Sequence, residues 1–455
     1  MLTASADPLA AASGLVGALL DVALLRLRCS LLWRPPRVGL GALVTSPCMG
    51  RGTEVERRER APRPDWQRRV EEVGFPIHTA DGPYWDESAF WVFTPGDVDL
   101  LERATAELHQ MTLGAVGHVI DTGRYWERLA VPRELVPLIA RSWEGADGDG
   151  DPFIYGRMDL AWDGLSAPRL LEYNADTPTG LVEASVVQWH WLQDVDPAAD
   201  QWNSLHERLV AGWKELAPWL PVGPLHFASL DVAEDVLTAT YLQDTAAQAG
   251  LATSFVEMRA IGWNAVKGVF VDGDGVEMRA CFKLYPWEWM AREQFGAMLP
   301  RTHTRFVEPA WKMVASNKGI LAVLWELYPD HPNLLPAFLE PGDMASYARK
   351  PLLSREGANV VLVKDGDVIA EGADQGYGAE GHVWQALWEP EAPTAGKHLS
   401  IGSWLVRGVP AGAGIRESDG PITGNLSRFV PHLVAEDAGG DPRRRARFRA
   451  IAGTS

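Results

Sequence analysis

The sequence predicts a mixed α/β protein with two or three lobes, and three observations lead to that class. The chain has 455 residues, more than one hydrophobic core usually serves. Its 46% apolar and 22% charged residues are ordinary for a globular protein. Strand-like runs alternate with helix-like ones, as where two apolar runs within residues 155–174 precede a helical pattern from Leu181 to about Val195.

The two apolar runs within residues 155–174 predict a β-hairpin. Turn-forming residues between them indicate a loop over residues 163–168. With that loop, Trp162 lies opposite Arg169 on the neighbouring strand. The same pairing fixes the position of every other side chain in the hairpin, because register shifts by one residue exchange the two faces.

Four polar side chains share one face of the predicted hairpin. Asp159 lies opposite Glu172, and Arg157 lies opposite Asn174. Two carboxylates and a carboxamide suit Mg²⁺, which prefers oxygen ligands, and an arginine suits a phosphate or carboxylate. The alternative is a solvated sheet face on which Arg157 relieves the repulsion between the two acids.

The segment after the hairpin favours the ligand-binding interpretation. Residues 174–180 form a polar turn that leads into the predicted helix at Leu181. The N-terminus of a helix attracts anions, because its free N–H groups and its dipole both favour negative charge.

Several longer motifs resemble the synthetase part of the glutathionylspermidine synthase family, and more closely its short acid–amine ligase relatives. The resemblance extends from about Arg63 to Val434, and its motifs lie at residues 155–164, 171–179, 308–312, 316–318, 331–336, 349–359 and 401–404. It implies an ATP-grasp fold of the α/β (α+β) class. It also implies a reaction in which ATP and a carboxylic acid form an acyl phosphate that an amine attacks.

The order of the motifs implies a circularly permuted ATP-grasp protein. The hairpin that would hold the metal precedes the lysines that would hold the nucleotide, the reverse of most ATP-grasp enzymes. A standard glycine-rich phosphate motif, G-x-x-x-x-G-K-[ST], is absent from the sequence.

The resemblance also assigns site residues. It implies that Asp159, Glu172 and Asn174 bind Mg²⁺ and that Arg157 and Arg416 are catalytic. The residues that it implies for ATP binding are Arg157, Lys318, Lys350, Arg355, Glu356, Gly357, Gln385, Ala386, Leu387, Trp388 and Ser400. Those that it implies for substrate binding are Thr177, Glu234 and Asp235.

A structural role competes for one of these substrate residues. Asp231 followed by Glu234 is a capping pattern for a helix that runs to about Ala249. The residues alone favour capping. In the family, acids aligned with Glu234 and Asp235 contact a thiol tripeptide, which requires the helix end to face the cleft.

Local patterns place the nucleotide residues on a helix and a strand. Lys318 precedes a predicted helix that continues to Tyr328, and Lys350 lies in a strand. A polar loop over residues 354–359 then leads to a second strand at residues 360–363 and can close over phosphates. In the middle of the chain, residues 269–271 and 277–284 predict a further hairpin.

Composition limits the partners and the compartment. The net charge of −18 argues against a nucleic-acid surface and favours a cationic or metal-borne partner, although solubility alone would account for most of it. Three cysteines without ligand spacing suit a reducing cytoplasm, and Cys281 is interpreted as a buried apolar residue. The expected partners are a small carboxylic acid or peptide and an amine, with polyamines among the candidates. The sequence does not indicate an oligomeric state.

The ends of the chain are predicted to lie outside the enzyme domain. Residues 1–61 form a doubtful leader, and Met49 is a candidate for the true start; a genuine interaction helix is the alternative. Residues 62–435 form the ligase domain, with a substrate-side lobe at about 220–300 and a nucleotide-binding lobe at about 310–430. Residues 436–455 form a disordered tail. No segment reads as a membrane span, and too few residues precede the domain for an amidase.

Two other classes of function compete with the ligase. One is a catalytically inactive ATP-binding sensor or scaffold, against which the retained Asp159, Glu172, Asn174 and Arg416 argue. The other is a partner protein for assembly at a membrane or surface, suggested by the leader alone.

Overall fold

The computed structural model describes residues 55–79, 82–145, 150–391, 396–424 and 427–435. The candidate start at Met49 and the predicted tail lie outside the described residues. The described helices are α1 (Trp66–Glu72), α2 (Pro95–Thr122), α3 (Val136–Glu144), α4 (Gln188–Val195), α5 (Leu205–Leu216), α6 (Ala233–Gln248), α7 (Trp287–Arg292), α8 (Lys312–Ser316) and α9 (Ile320–Leu327). A π-helical turn, Glu183–Val187, leads into α4, so the helix predicted from Leu181 is present.

The strands alternate with these helices along the chain. They are β1 (Glu56–Glu59), β2 (Ala89–Phe93), β3 (Tyr155–Ala161), β4 (Arg169–Asn174), β5 (Leu225–Ser229), β6 (Thr253–Glu257), β7 (Gly262–Asn264), β8 (Val269–Val271), β9 (Glu277–Met278), β10 (Ala280–Leu284), β11 (Arg305–Val307), β12 (Ala337–Phe338), β13 (Tyr347–Pro351), β14 (Val361–Lys364), β15 (Asp367–Glu371), β16 (His382–Ala386), β17 (His398–Val406), β18 (Val409–Ser418), β19 (Arg428–Phe429) and β20 (His432–Val434). The predicted mixed α/β class is confirmed.

Two five-stranded sheets contribute strands and loops to the site. The first has the order β19-β18-β17-β3-β4, and the second has the order β12-β16-β13-β14-β15. Neighbouring strands pair in antiparallel fashion in both sheets. Because β17 and β18 belong to the first sheet, the lobe predicted at about 310–430 is divided between the two sheets.

A parallel sheet lies in the part of the chain, about 220–300, for which the sequence predicts a substrate-side lobe. Its order is β11-β10-β5-β6, so it continues past residue 300 to β11. The hairpin predicted from residues 269–271 and 277–284 is wrong in its second half. β8 pairs with β9, whereas β10 leaves for the parallel sheet. An apolar run shows that a segment is buried, but it does not show which sheet receives it.

The first described strand lies earlier than the predicted domain boundary at residue 62. β1 pairs with β2, and the Arg57 guanidinium donates two hydrogen bonds of 2.9 Å to the Glu417 carboxylate on β18. The Glu417 side chain is fully buried. Residues 56–59 therefore belong to the folded part of the chain rather than to a leader.

Large aromatic side chains fill the core. Trp162, Trp191, Trp213 and Trp404 are among the largest fully buried side chains. Cys281 is also fully buried, as predicted, and burial raises the pKa of its thiol to about 12. In the described part of the chain, no helix is both long and apolar enough to cross a membrane.

Candidate active site

The β3–β4 hairpin has the predicted register at its polar end. Asp159 pairs with Glu172, and Arg157 pairs with Asn174. The prediction that Trp162 faces Arg169 is wrong, because a bulge shifts the register after Asp159 and brings Ala161 opposite Arg169. A bulge adds one unpaired residue to one strand, and this one leaves Leu171 without a partner.

Alternation along β3 separates core from site. Met158 and Leu160 are buried on one face, while Arg157 and Asp159 on the other face are partly exposed. The side chains of Asp159 and Glu172 remain 14% and 22% exposed. Because Met158 and Leu160 pack into the core, the side chains of Arg157 and Asp159 lie on the solvent-accessible face of the strand.

Asn174 connects the two acids. Its Nδ2 donates to Asp159 Oδ2 at 3.2 Å and to Glu172 Oε1 at 3.1 Å. This arrangement involves only two acids. The described residues contain no group of three or more His, Cys, Asp or Glu side chains suited to a metal. A cation at this position would rely on two carboxylates, one carboxamide and oxygens from a substrate or water.

Each acid also has a cationic partner. The Arg157 guanidinium donates to Asp159 at 2.6 and 3.0 Å, and to the Thr179 carbonyl at 2.6 Å. The Lys318 ammonium lies 2.8 Å from Glu172 Oε2. The negative charges of Asp159 and Glu172 are therefore neutralised by Arg157 and Lys318 within the site.

The same partners set the pKa values of the acids. Burial raises the pKa of the Asp159 carboxyl above its usual value, although the Arg157 guanidinium opposes the rise. Burial acts in the same direction on Glu172. There the Lys318 and Lys350 ammonium groups outweigh it and hold the pKa well below its usual value.

Lys350 lies behind the bulge. Its Nζ donates to the Leu171 carbonyl at 2.9 Å and to Gln385 Oε1 at 2.7 Å, and Gln385 Nε2 donates to the Leu170 carbonyl at 2.9 Å. The bulge thus provides the acceptor that seats Lys350. Burial lowers the pKa of this lysine to about 8.

A cavity of about 610 Å³ brings these groups together with residues of both sheets and of α6. Every site residue predicted from the sequence lines it except Lys318, which contacts the site through Glu172 and through the Ser354 carbonyl at 2.6 Å. Ala348, Leu362 and Ile369 give one end of the cavity an apolar wall.

The loop between β13 and β14 covers the cavity. Arg355 Nη2 donates to Thr177 Oγ1 at 2.7 Å, and its guanidinium lies 5.3 Å from the centre of the Trp289 ring. Gly357 has a φ of +69°, and a Cβ there would lie 2.7 Å from the Thr423 carbonyl oxygen. The loop is therefore packed closely on its neighbours.

Another part of the cavity is acidic. Glu234 and Asp235 line it, and burial with the neighbouring Glu234 raises the pKa of Asp235 to about 6. The predicted cap is wrong, because Val232 occupies the N-cap of α6 and no side chain caps the helix. Because Asp231 does not cap the helix, the capping role that the sequence favoured does not explain Glu234.

Arg416 reaches the cavity from β18, the second strand in the order of the first sheet. It pairs in register with Ser400, and its Nη2 donates to the Gly424 carbonyl at 2.6 Å. Its guanidinium lies 5.3 Å from the centre of the Phe429 ring, and its Nε is buried without a hydrogen-bond partner. A buried donor without an acceptor suits an anionic ligand.

Sequence reasoning missed several residues around the cavity. Tyr84 lines it and donates to Glu183 Oε1 at 2.7 Å, and burial raises the pKa of Glu183 to about 7. Lys283 forms a buried ion pair of 2.6 Å with Asp176. The position of Asp176 in the polar turn marked it as a candidate site residue, but its partner lies 107 residues away in the sequence.

Comparison with known proteins places the chain in a family. A family model described as "Glutathionylspermidine synthase preATP-grasp" matches residues 57–435. The chain belongs to the glutathionylspermidine synthase family. The resemblance seen in the motifs is thereby confirmed.

Individual relatives agree with this family. A Haemophilus influenzae protein named "Putative acid--amine ligase" is 38% identical over 387 residues, which cover 81% of this chain and 97% of that protein. Trypanothione synthetase of Crithidia fasciculata is 29% identical over 71% of this chain and 53% of its own length. The bifunctional glutathionylspermidine synthetase/amidase of Escherichia coli K12 is 25% identical over 77% of this chain and 60% of its own length. The family and these relatives are ligases, which confirms the predicted enzyme class.

The chain spans 53% and 60% of the two longer relatives. Among solved structures, a glutathione synthetase-like effector from Globodera pallida aligns with a TM-score of 0.49 and 8% identity over 77% of this chain and 89% of that chain. That likeness is too remote to bear on the fold assignment.

Proposed function

We propose that this family member is an ATP-dependent acid–amine ligase that makes an amide through an acyl phosphate. The observation that carries the proposal is the convergence of two carboxylates with a set of cationic side chains. Asp159 and Glu172 line the same cavity as Arg157, Lys350, Arg355 and Arg416. Phosphoryl-transfer sites use such positive charge to position the phosphates and stabilise the charge that develops between them.

The oxygen donors of the hairpin fit Mg²⁺. Asp159, Glu172 and Asn174 would hold the ion, and their two carboxylates and one carboxamide are the hard ligands that it prefers. When bound, it neutralises charge on the ATP phosphates. The hairpin precedes Lys318 and Lys350 in the chain, which supports a circularly permuted ATP-grasp arrangement.

The nucleotide fits the cavity end formed by the second sheet. The apolar side chains of Ala348, Leu362 and Ile369 suit a purine base, and residues 385–388 line the same cavity. Lys350 then faces the phosphates from behind the bulge, and Lys318 faces them from the side of Glu172.

The two arginines suit the transfer step. A carboxylate oxygen of the acid attacks the terminal phosphorus, and the bond from that phosphorus to ADP breaks. Arg416, with its free buried Nε, stabilises the migrating phosphoryl group, and Arg157 orients the acid. The amine nitrogen then attacks the acyl carbon, the bond from that carbon to phosphate breaks, and the nitrogen loses its extra proton.

The acidic end of the cavity suits an amine that carries positive charge. Glu234 and Asp235 lie there with Thr177, whose hydroxyl already accepts from Arg355. The relatives' names point to a glutathione-like acid and a polyamine. The sequence around Thr177 reads Thr-Pro-Thr, where the glutathionylspermidine enzymes carry a small-residue serine version. This departure speaks against assuming the tripeptide and spermidine, so a screen includes other acids and amines as well. We place the reaction in the cytoplasm.

A product screen tests the proposal. Protein, ATP and Mg²⁺ are incubated with a panel of acids and amines, and amides and ADP are measured by mass spectrometry. Hydroxylamine replaces the amine in a parallel set, because it traps an acyl phosphate as a hydroxamate. Asp159→Asn should abolish turnover, and Asp244→Asn on the exposed face of α6 should leave it unchanged. Asp159→Asn with wild-type folding and turnover would remove this scheme, and ATP binding without turnover on any pair would favour the sensor.

A further inference from the structure

The turn that follows the hairpin is held from two sides. The backbone amides of Ala175 and Asp176 donate to Ser316 Oγ at 2.9 and 2.7 Å. On the other side, the Asp176 carboxylate accepts from Lys283 Nζ at 2.6 Å and from the Trp287 amide at 3.3 Å. The nucleotide side and the substrate-side lobe thus meet at one short segment.

The Asp176–Lys283 ion pair is deeply buried. The two side chains are 4% and 0% exposed, and the Lys283 ammonium lies 4.8 Å from the centre of the Trp287 ring. Taking two charges out of water is costly, and apolar replacements of such pairs are often neutral or stabilising. Stability alone is therefore a weak explanation for the pair.

Each end of the turn carries a side chain that contacts the candidate site. Asn174, at its start, donates to both acids of the hairpin. Thr177, directly after Asp176, accepts from Arg355 on the covering loop. A shift of Asp176 would move both groups, because one residue separates Asn174 from Asp176 and none separates Asp176 from Thr177.

We propose that Asp176 and Lys283 are positioning residues that fix Asn174 for the metal and Thr177 for the covering loop. This inference rests on the proposed function, since it takes the hairpin as the metal site. The pair acts through Asn174 and Thr177 and touches no substrate. It gives the substrate-side lobe a direct connection to the group that binds the metal.

The test measures how much Mg²⁺ strengthens nucleotide binding. The double variant Asp176→Ala with Lys283→Met removes both charges together, so that neither remains buried alone. Calorimetry gives the affinity for the ATP analogue AMP-PNP with Mg²⁺ and with EDTA. The gain from Mg²⁺ is expected to fall about tenfold, as is typical when partners that orient metal ligands are lost. Binding in EDTA should fall by less than binding with Mg²⁺, because it reports only the contact between Thr177 and Arg355.

A second buried ion pair provides the matched control. Arg63 and Glu87 are separated by 2.6 Å, with side chains 5% and 0% exposed, and neither lines the cavity. Arg63→Met with Glu87→Ala should leave the gain from Mg²⁺ unchanged. If the Asp176 double variant does not fold, Asp176→Asn with Lys283→Met keeps an acceptor for the Trp287 amide without a buried lone charge and should show a smaller loss in the same direction.

The possible results separate the two proposals. A folded double variant with an unchanged gain from Mg²⁺ overturns the positioning role alone. Equal losses with Mg²⁺ and with EDTA also overturn it, because they indicate a general structural effect. Wild-type protein that binds AMP-PNP no better with Mg²⁺ than with EDTA overturns the metal site and this inference together.

Discussion

Lys318 offers the sharpest test of the internal charge balance. Its ammonium lies 2.8 Å from Glu172 Oε2 and donates to the Ser354 carbonyl at 2.6 Å, and its side chain is 8% exposed. It neutralises an acid that the proposed function gives to the metal. Lys318→Met keeps most of the apolar stem and removes the charge, so the measured effect reports the charge.

The expected loss follows from that contact. A hydrogen bond that involves a charged group contributes about 1.5 to 3 kcal/mol. If Lys318 transfers this interaction to a phosphate, AMP-PNP with Mg²⁺ should bind roughly 10- to 150-fold more weakly to Lys318→Met. Calorimetry near neutral pH measures this ratio, and Lys214→Met on the exposed face of α5 controls for the loss of one positive charge.

The same substitution should change acid stability. The folded chain holds the pKa of Glu172 below the usual value of 4.5, so the ionised carboxylate stabilises the fold above that value. This stabilisation is lost as the pH falls through the folded-state pKa. Without Lys318 the pKa of Glu172 rises, and Lys318→Met should unfold at a higher pH on acidification. An AMP-PNP affinity within twofold of the wild type, with an unchanged acid midpoint, would refute the assigned role.

Three further predictions concern other walls of the cavity. Burial lowers the pKa of Lys350 to about 8, so AMP-PNP affinity should fall as the pH rises through that value, and Lys350→Arg should remove the dependence. Burial raises the pKa of Asp235 to about 6, so spermidine binding should strengthen as the pH rises through that value; calorimetry on Asp235→Asn should show a flat profile. Gly357→Ala places a Cβ 2.7 Å from the Thr423 carbonyl oxygen at a φ of +69°, and urea unfolding should show a loss of about 1 to 3 kcal/mol with weaker AMP-PNP binding.

The sequence was informative where local periodicity decides the structure. Alternation along β3 and β4 gave the correct facing of Asp159 with Glu172, because the polar end of the hairpin keeps a regular register. The bulge after Asp159 was not predictable, since it depends on how the extra residue contacts Lys350 from another sheet. Long-range contacts of this kind leave no mark on a single strand.

Helix ends and ion pairs show the same limit. Asp231 had the composition of a cap, but the backbone places Val232 at the N-cap, and tertiary packing of α6 overrides the local signal. The burial of Asp176 with Lys283 could not be predicted either, because Asp176 lies in the turn after β4 and Lys283 lies on β10, 107 residues away. The predicted site residues other than Lys318 nevertheless line one cavity, because the resemblance to a family carries long-range information that local patterns lack.

The Arg57–Glu417 contact bears on how the protein can be shortened for laboratory work. A recombinant chain cut at the domain boundary predicted from the sequence would begin after β1 and lose Arg57. The fully buried Glu417 would keep Arg428 at 3.6 Å as a more distant partner. Because Glu417 is the next residue after Arg416, trimming the amino terminus would disturb a side chain 360 positions away and, with it, the arginine assigned to phosphoryl transfer.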